Sequence, residues 1–117
     1  MNTHHRLGAW QDARRLVCAV YRLAAGLPRA ERYIATPQLL RAAWSVHNNL
    51  AEGNAKLGRA EMRRFFDSAL GSLAEVDAMV TTLGDLYPLD SEVRGEIERL
   101  RQSIAGKVFA ILKARAR

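Results

Sequence analysis

Cysteine, proline and histidine are scarce in this chain, with one, three and three among 117 residues. The single Cys18 cannot close an internal disulfide, and points to a reducing compartment. Pro28, Pro37 and Pro88 each fall at a break in the periodic pattern, where a missing N–H is tolerated. No long apolar run exists either. Nothing approaches the roughly 18 uninterrupted apolar residues of a membrane span. The polar start, Met1 to Arg6, leads into no apolar stretch of the kind a secretory signal needs. What is present, 49% apolar against 26% charged residues, excludes intrinsic disorder. A chain of this size buries roughly two-thirds of its unfolded surface, enough for one core without metal or disulfide staples. The expectation is one soluble, cytoplasmic domain spanning residues 1–117.

Catalytic constellations are missing as well. The histidines are His4, His5 and His47, and none stands three residues after a glutamate, so the Glu-x-x-His pair of di-iron bundles is absent. The paired Glu-x-x-Glu and Glu-x-x-Asp carboxylates of all-helical nucleotide pyrophosphatases are absent too. Glu75 and Asp77, like Glu96 and Glu98, stand two apart and point to different helix faces. No glycine-rich phosphate loop occurs. Cys18 lies near the edge of a core stripe and reads as a buried, inert thiol. No catalytic residue, cofactor or metal site is expected, and the chain reads as a non-enzyme.

Hydrophobic periodicity gives four helices, at about 7–25, 37–57, 59–85 and 91–114. The first carries the stripe Trp10, Ala13, Val17, Val20, Ala24, in steps of three and four. The second opens with Thr36 as N-cap and Pro37 at the first helical position, then shows Leu39, Ala43, Val46, Leu50, Gly53 and Leu57. The third stripe is Met62, Phe66, Ala69, Leu73, Val76, Val80 and Leu83. The fourth follows Asp90 or Ser91 as cap, with Val93, Ile97, Leu100, Ile104, Val108 and Ile111. No segment alternates with a strand's period of two. Four amphipathic helices on short loops predict an all-α, antiparallel up-down four-helix bundle.

Some apolar surface is left over. Leu40, Trp44, His47 and Ala51 form a second stripe beside the core face of helix two, and Phe109 lies off the core stripe of helix four. Burying a large aromatic is worth about 2–3 kcal/mol. Trp44 either caps the bundle edge or anchors a subunit interface; the interface is preferred, because it recovers that energy. Gly71, among the small residues Ala69, Ser72 and Ala74, costs about 1 kcal/mol of helix propensity. That cost makes sense where another helix backbone comes close.

Polar residues on helix two gather in Asn48-Asn49-Leu50-Ala51-Glu52-Gly53. Asn49 falls at the core edge and Glu52 a little further round. Both need partners, since an unpaired buried polar group costs on the order of 1–3 kcal/mol. A register-fixing lock with Arg64, Ser68 or Ser72 is one reading, and a ligand contact is the other.

Charge is segregated along the chain. Residues 1–64 hold eleven basic and four acidic residues, residues 65–100 two and eight, and residues 101–117 five and none. Fifteen of the eighteen basic residues are arginine, whose forked donors suit phosphate. Arg15, Arg22 and Arg29 recur every seven residues opposite the core stripe of helix one. Lys56, Arg59, Arg63 and Arg64 cluster at the junction of helices two and three, and Lys113, Arg115 and Arg117 close the chain. These ten are candidate nucleic-acid contacts through the phosphate backbone. No aromatic stacking platform accompanies them, so sequence-specific readout of single strands has no support in the sequence.

The run from Gln38-Leu39-Leu40-Arg41-Ala42-Ala43 through Ser45 to Asn49-Leu50-Ala51-Glu52-Gly53 resembles a signature of the 23S rRNA intervening-sequence proteins, also called four helix bundle protein. Ala69-Leu70-Gly71-Ser72-Leu73-Ala74-Glu75 resembles a second signature, and Trp10, Ala13, Tyr21, Pro28, Glu31, Tyr33 and Leu83-Gly84 agree with the flanking segments. The likeness covers about residues 7–112. Trp44 and His47 depart from it, standing where a small aliphatic residue and a proline are usual, and Gly58-Arg59 replaces a usual serine cap. The resemblance implies a homo-oligomer, typically a pentameric ring. It also implies a link to the accessory proteins of diversity-generating retroelements, which engage a reverse transcriptase and nucleic acid. It supplies no catalytic residue. Two functions stay open at this point. One is an oligomeric bundle that binds structured RNA or DNA through backbone charge. The other is a protein-interaction scaffold without a nucleic-acid role.

Overall fold

The computed structural model describes residues 7–115, the side chain of Arg115 excepted. His4, His5 and Arg117, and the Arg115 side chain, lie outside the described residues. Among the described residues there are four α-helices, one 3-10 turn and no strand. We number them α1 (Gly8–Ala25), α2 (Ala35–Asn54), α3 (Arg59–Leu86) and α4 (Ser91–Arg115), with the 3-10 turn at Arg29–Glu31. Each helix packs on its neighbours in chain order and α4 returns to α1, with the α2–α3 contact the most extensive and α3–α4 the least. The bundle measures 46 × 25 × 23 Å, and its long dimension is close to the length of α3, whose 28 residues span about 42 Å at 1.5 Å each.

The α3 stripe is buried throughout, from Met62 to Leu83. Phe66, Leu16, Leu39, Leu50, Ile104, Val20, Val46, Val76 and Val108 fill the centre. In α1 the buried face is wider than its stripe, taking in Ala9, Leu16, Ala19 and Leu23, while Ala24 is only half-buried. Two core expectations fail. Leu57 is fully exposed, because α2 ends at Asn54 and the chain turns before reaching it. Cys18 is exposed as well, one position past the buried face that Val17 and Ala19 share.

Helix ends follow side-chain chemistry only in part. Asp90 caps α4 as expected, its Oδ1 accepting from the backbone N–H of Glu92 at 2.9 Å and of Val93 at 3.1 Å. Thr36 does not cap α2. That helix starts at Ala35 behind Ile34, so Pro37 occupies its third position. The proline is tolerated there because the first four helical N–H groups lack an intrahelical acceptor in any case. Tyr87, after α3, donates to Glu31 Oε2 at 2.5 Å and ties the α1–α2 connection to the α3–α4 connection.

Two glycines behave oppositely. A Cβ on Gly53 would sit 2.7 Å from two carbons of the Phe66 ring and 3.1 Å from Phe65 Cβ, so α2 and α3 approach closely only because Gly53 has none. A Cβ on Gly71 would meet nothing within 4 Å. Within the protomer the expected close backbone at Gly71 is therefore absent.

Candidate nucleic-acid interface

The close of α2, the start of α3 and the close of α4 meet at one end of the bundle. Leu7, Asn54, Met62, Phe66, Ile111 and Ala114 line a shared cavity there of about 280 Å³. This geometry brings Lys56, Arg59, Arg63 and Arg64 to the same end as Lys113, nearly fifty residues further on. The α3 N-terminus at Gly58 has no side-chain cap. Lys56 Nζ lies 3.7 Å from Glu52 Oε2, Arg63 Nε 3.6 Å from Asp67 and Arg64 3.4 Å from Glu61. These are exposed pairs within one or two turns, and such pairs hold their partners by little. Phe65, half-buried, has Lys56 Nζ and Arg64 Cζ each 5.1 Å from its ring centroid. One aromatic ring thus lies within this cluster, with both cations gathered on it.

The helix-one arginines are placed differently. Arg15 is 3.3 Å from Asp12, and Arg22 is 2.5 Å from Glu96 on α4. Arg29 opens the 3-10 turn, at the opposite end of the bundle from Lys56. The every-seven spacing therefore runs along a helix face away from the basic end, and it does not join the Lys56–Arg64 cluster.

Asp12 escaped sequence reasoning entirely. It is the one buried charged residue among the described residues, at 7% exposure. Its Oδ2 accepts from Ser103 Oγ and Lys107 Nζ, both at 2.7 Å. Burial by itself would raise its pKa, but the Lys107 and Ser103 hydrogen bonds, with the charges of Lys107 and Arg15, outweigh it and hold Asp12 below the usual carboxylate value. The cluster fixes α1 against α4. No sequence signal could have found it, since its partners lie 91 and 95 residues away.

The polar residues of α2 form a lock. Asn49 Nδ2 donates to Ser45 O at 2.8 Å and to Ser45 Oγ at 3.0 Å, and Ser45 Oγ lies 2.7 Å from Ser72 Oγ on α3. Ser72 is thus the cross-helix partner, reached through Ser45. Arg64 turns instead to Glu61, and Ser68 donates to the Arg64 carbonyl. Glu52 and Glu75 are exposed. Trp44, at 40% exposure, donates from Nε1 to Tyr21 Oη at 3.0 Å and meets His47 edge-on at 5.1 Å. His47 in turn lies 5.3 Å from Trp10. Leu40 is half-buried, whereas Phe109 is 60% exposed.

Among the described residues, no group of three or more His, Cys, Asp and Glu side chains could hold a metal ion, and no helix is long and apolar enough to cross a membrane. Fold and surface together define a small all-helical protein with a basic end. The model of the 23S rRNA-intervening sequence protein family matches residues 5–109, and the chain belongs to that family. No curated protein matches it.

Proposed function

We propose that the protein is a non-enzymatic, cytoplasmic, homo-oligomeric bundle that grips the phosphate backbone of structured RNA or DNA with its basic end. The observation that carries this reading is the gathering of Lys56, Arg59, Arg63, Arg64 and Lys113 at one end, beside the uncapped start of α3. The protomer is read as an antiparallel up-down bundle. Pairs whose numbers fall along one helix as they rise along its neighbour support this, such as Arg22 with Glu96 and Asp12 with Lys107. The assembly is read as a closed ring, with five copies implied by the family resemblance. Exposed Trp44 and Phe109 support it, because buried partners would recover the energy those rings lose in water. Repetition around an axis would multiply weak phosphate contacts into useful affinity.

Charge reversal tests the reading. An Arg59→Glu, Arg63→Glu, Arg64→Glu variant should lose affinity for a structured RNA and a DNA duplex alike, while its mass by light scattering stays unchanged. The scaffold alternative expects the reverse: feeble binding at physiological salt even for the unaltered protein, and a changed mass for the variant.

A further inference from the structure

The bundle has two outward faces of opposite character, and they fit one another. On the α1–α2 face, Arg14, Tyr21, Arg41, Trp44 and Asn48 are exposed. Between Asp12 and Glu52 the only carboxylate is Glu31, which accepts the Tyr87 hydroxyl at the bundle end. The face therefore presents arginines around a part-exposed indole, with no acid among them. Arg14 rests over Trp10 at 5.3 Å and Arg41 is held by Gln38, so both cations stand beside the aromatic group.

The α3 face is the complement. Opposite its buried stripe, α3 exposes Asp67, Gly71, Ala74, Glu75, Ala78 and Asp85. The small residues Gly71, Ala74 and Ala78 keep a strip of this face low, open above Gly71 where a Cβ would touch nothing. Carboxylates flank it, and Glu75 and Asp85 make no ion pair among the described residues. The α3–α4 pairing of Asp77 with Arg101, and the packing of Arg94 over Gly84, put exposed Phe109 at about the height of Leu70. The α1–α2 face thus presents exposed arginines, and α3 from Asp67 to Asp85 presents exposed carboxylates.

We infer that the α1–α2 face of one copy docks on the α3 face of the next, Trp44 packing over Gly71 with Arg14 and Arg41 against the α3 carboxylates. The inference rests on the homo-oligomeric reading above and goes further by assigning the faces. Two copies joined through their α1–α2 faces would set arginine against arginine. A face-to-different-face contact avoids that repulsion and leaves a free face on each end, which builds a ring where the rotation between copies closes. The helix-breaking cost of an exposed glycine at position 71 also finds its reason, as an approach made by a second molecule.

Two variants test the assignment by mass. Trp44→Glu should spoil only the α1–α2 face and Gly71→Arg only the α3 face, each leaving a 13.1 kDa chain that does not assemble. Mixed in equal amounts, they should form a species of twice that mass, because each keeps the face the other lacks. Circular dichroism confirms that both remain helical, and Arg41→Glu replaces Trp44→Glu if that variant misfolds. If the unaltered protein is monomeric, the oligomeric reading and this one fall together. If it assembles but Gly71→Arg keeps the full mass, or the mixture stays at one chain, the ring survives and the face assignment is overturned. A Trp44→Glu chain that keeps its mass but loses RNA binding overturns it too, and gives that face to nucleic acid.

Discussion

Asp12 offers the sharpest test of how the bundle is held together. Its carboxylate is nearly enclosed, accepting from Ser103 Oγ and Lys107 Nζ at 2.7 Å, with Arg15 at 3.3 Å. Asp12→Asn keeps the shape but removes the charge, so the three charge-assisted bonds weaken to ordinary ones. Each loses about half of a charge-assisted bond's 1.5–3 kcal/mol. Lys107 and Arg15 remain largely in water, which discounts their share. The expected loss is about 1–2 kcal/mol at pH 7, or roughly 4–8 °C in Tm for a domain of this size. The pH dependence follows from the direction of the shift. Because the folded pKa lies below the ordinary one, the stabilisation is present above about pH 4, the unfolded value. It disappears as pH falls through the folded pKa. Urea unfolding of wild type and Asp12→Asn, at one protein concentration, should therefore differ at pH 7, and the gap should narrow as pH falls below about 4. Equal stability at pH 7, or a gap that does not narrow in acid, would refute the reasoning.

Gly53→Ala should destabilise by about 1–3 kcal/mol despite the better helix propensity of alanine, since the added methyl would overlap the Phe66 ring; urea midpoints measure it. Gly71→Ala should do the opposite in dilute, dissociated protein and raise stability by about 1 kcal/mol, because its methyl meets open space. Asp90→Ala removes the two cap bonds of α4 and should cost about 1 kcal/mol, with earlier fraying of that helix start in hydrogen exchange. Tyr87 should ionise at a higher pH than free tyrosine in an ultraviolet titration, first because its hydroxyl is hydrogen-bonded to Glu31; Glu31→Gln should bring it down.

The fold was legible where a single physical requirement dominated. Every residue of the α3 stripe is buried, because a long helix flanked on two sides has one continuous apolar face. Asp90 was legible because capping is local chemistry. Errors arose where register or tertiary context decided. Leu57 kept the rhythm of α2 beyond the helix's end, and Cys18 sat one step past a face wide enough to bury both its neighbours. Asp12 was illegible because its role depends on α4, at the far end of the chain. The site was legible by half. The Lys56–Arg64 cluster could be read from its spacing, but its meeting with Lys113 needed the packing of α4. Trp44 and Phe109 were correctly placed off the core, and the structure adds the direction in which each points away from it.

The central claim is that the basic end neutralises phosphates. The direct measurement is a salt titration of binding to a structured RNA and a matched DNA duplex, with mass recorded on the same samples. The expected result is affinity whose logarithm falls linearly with the logarithm of salt, steeper than about −3 for the duplex, which corresponds to several phosphates at roughly −0.9 each. An intact oligomer that binds neither nucleic acid near 150 mM salt would contradict it.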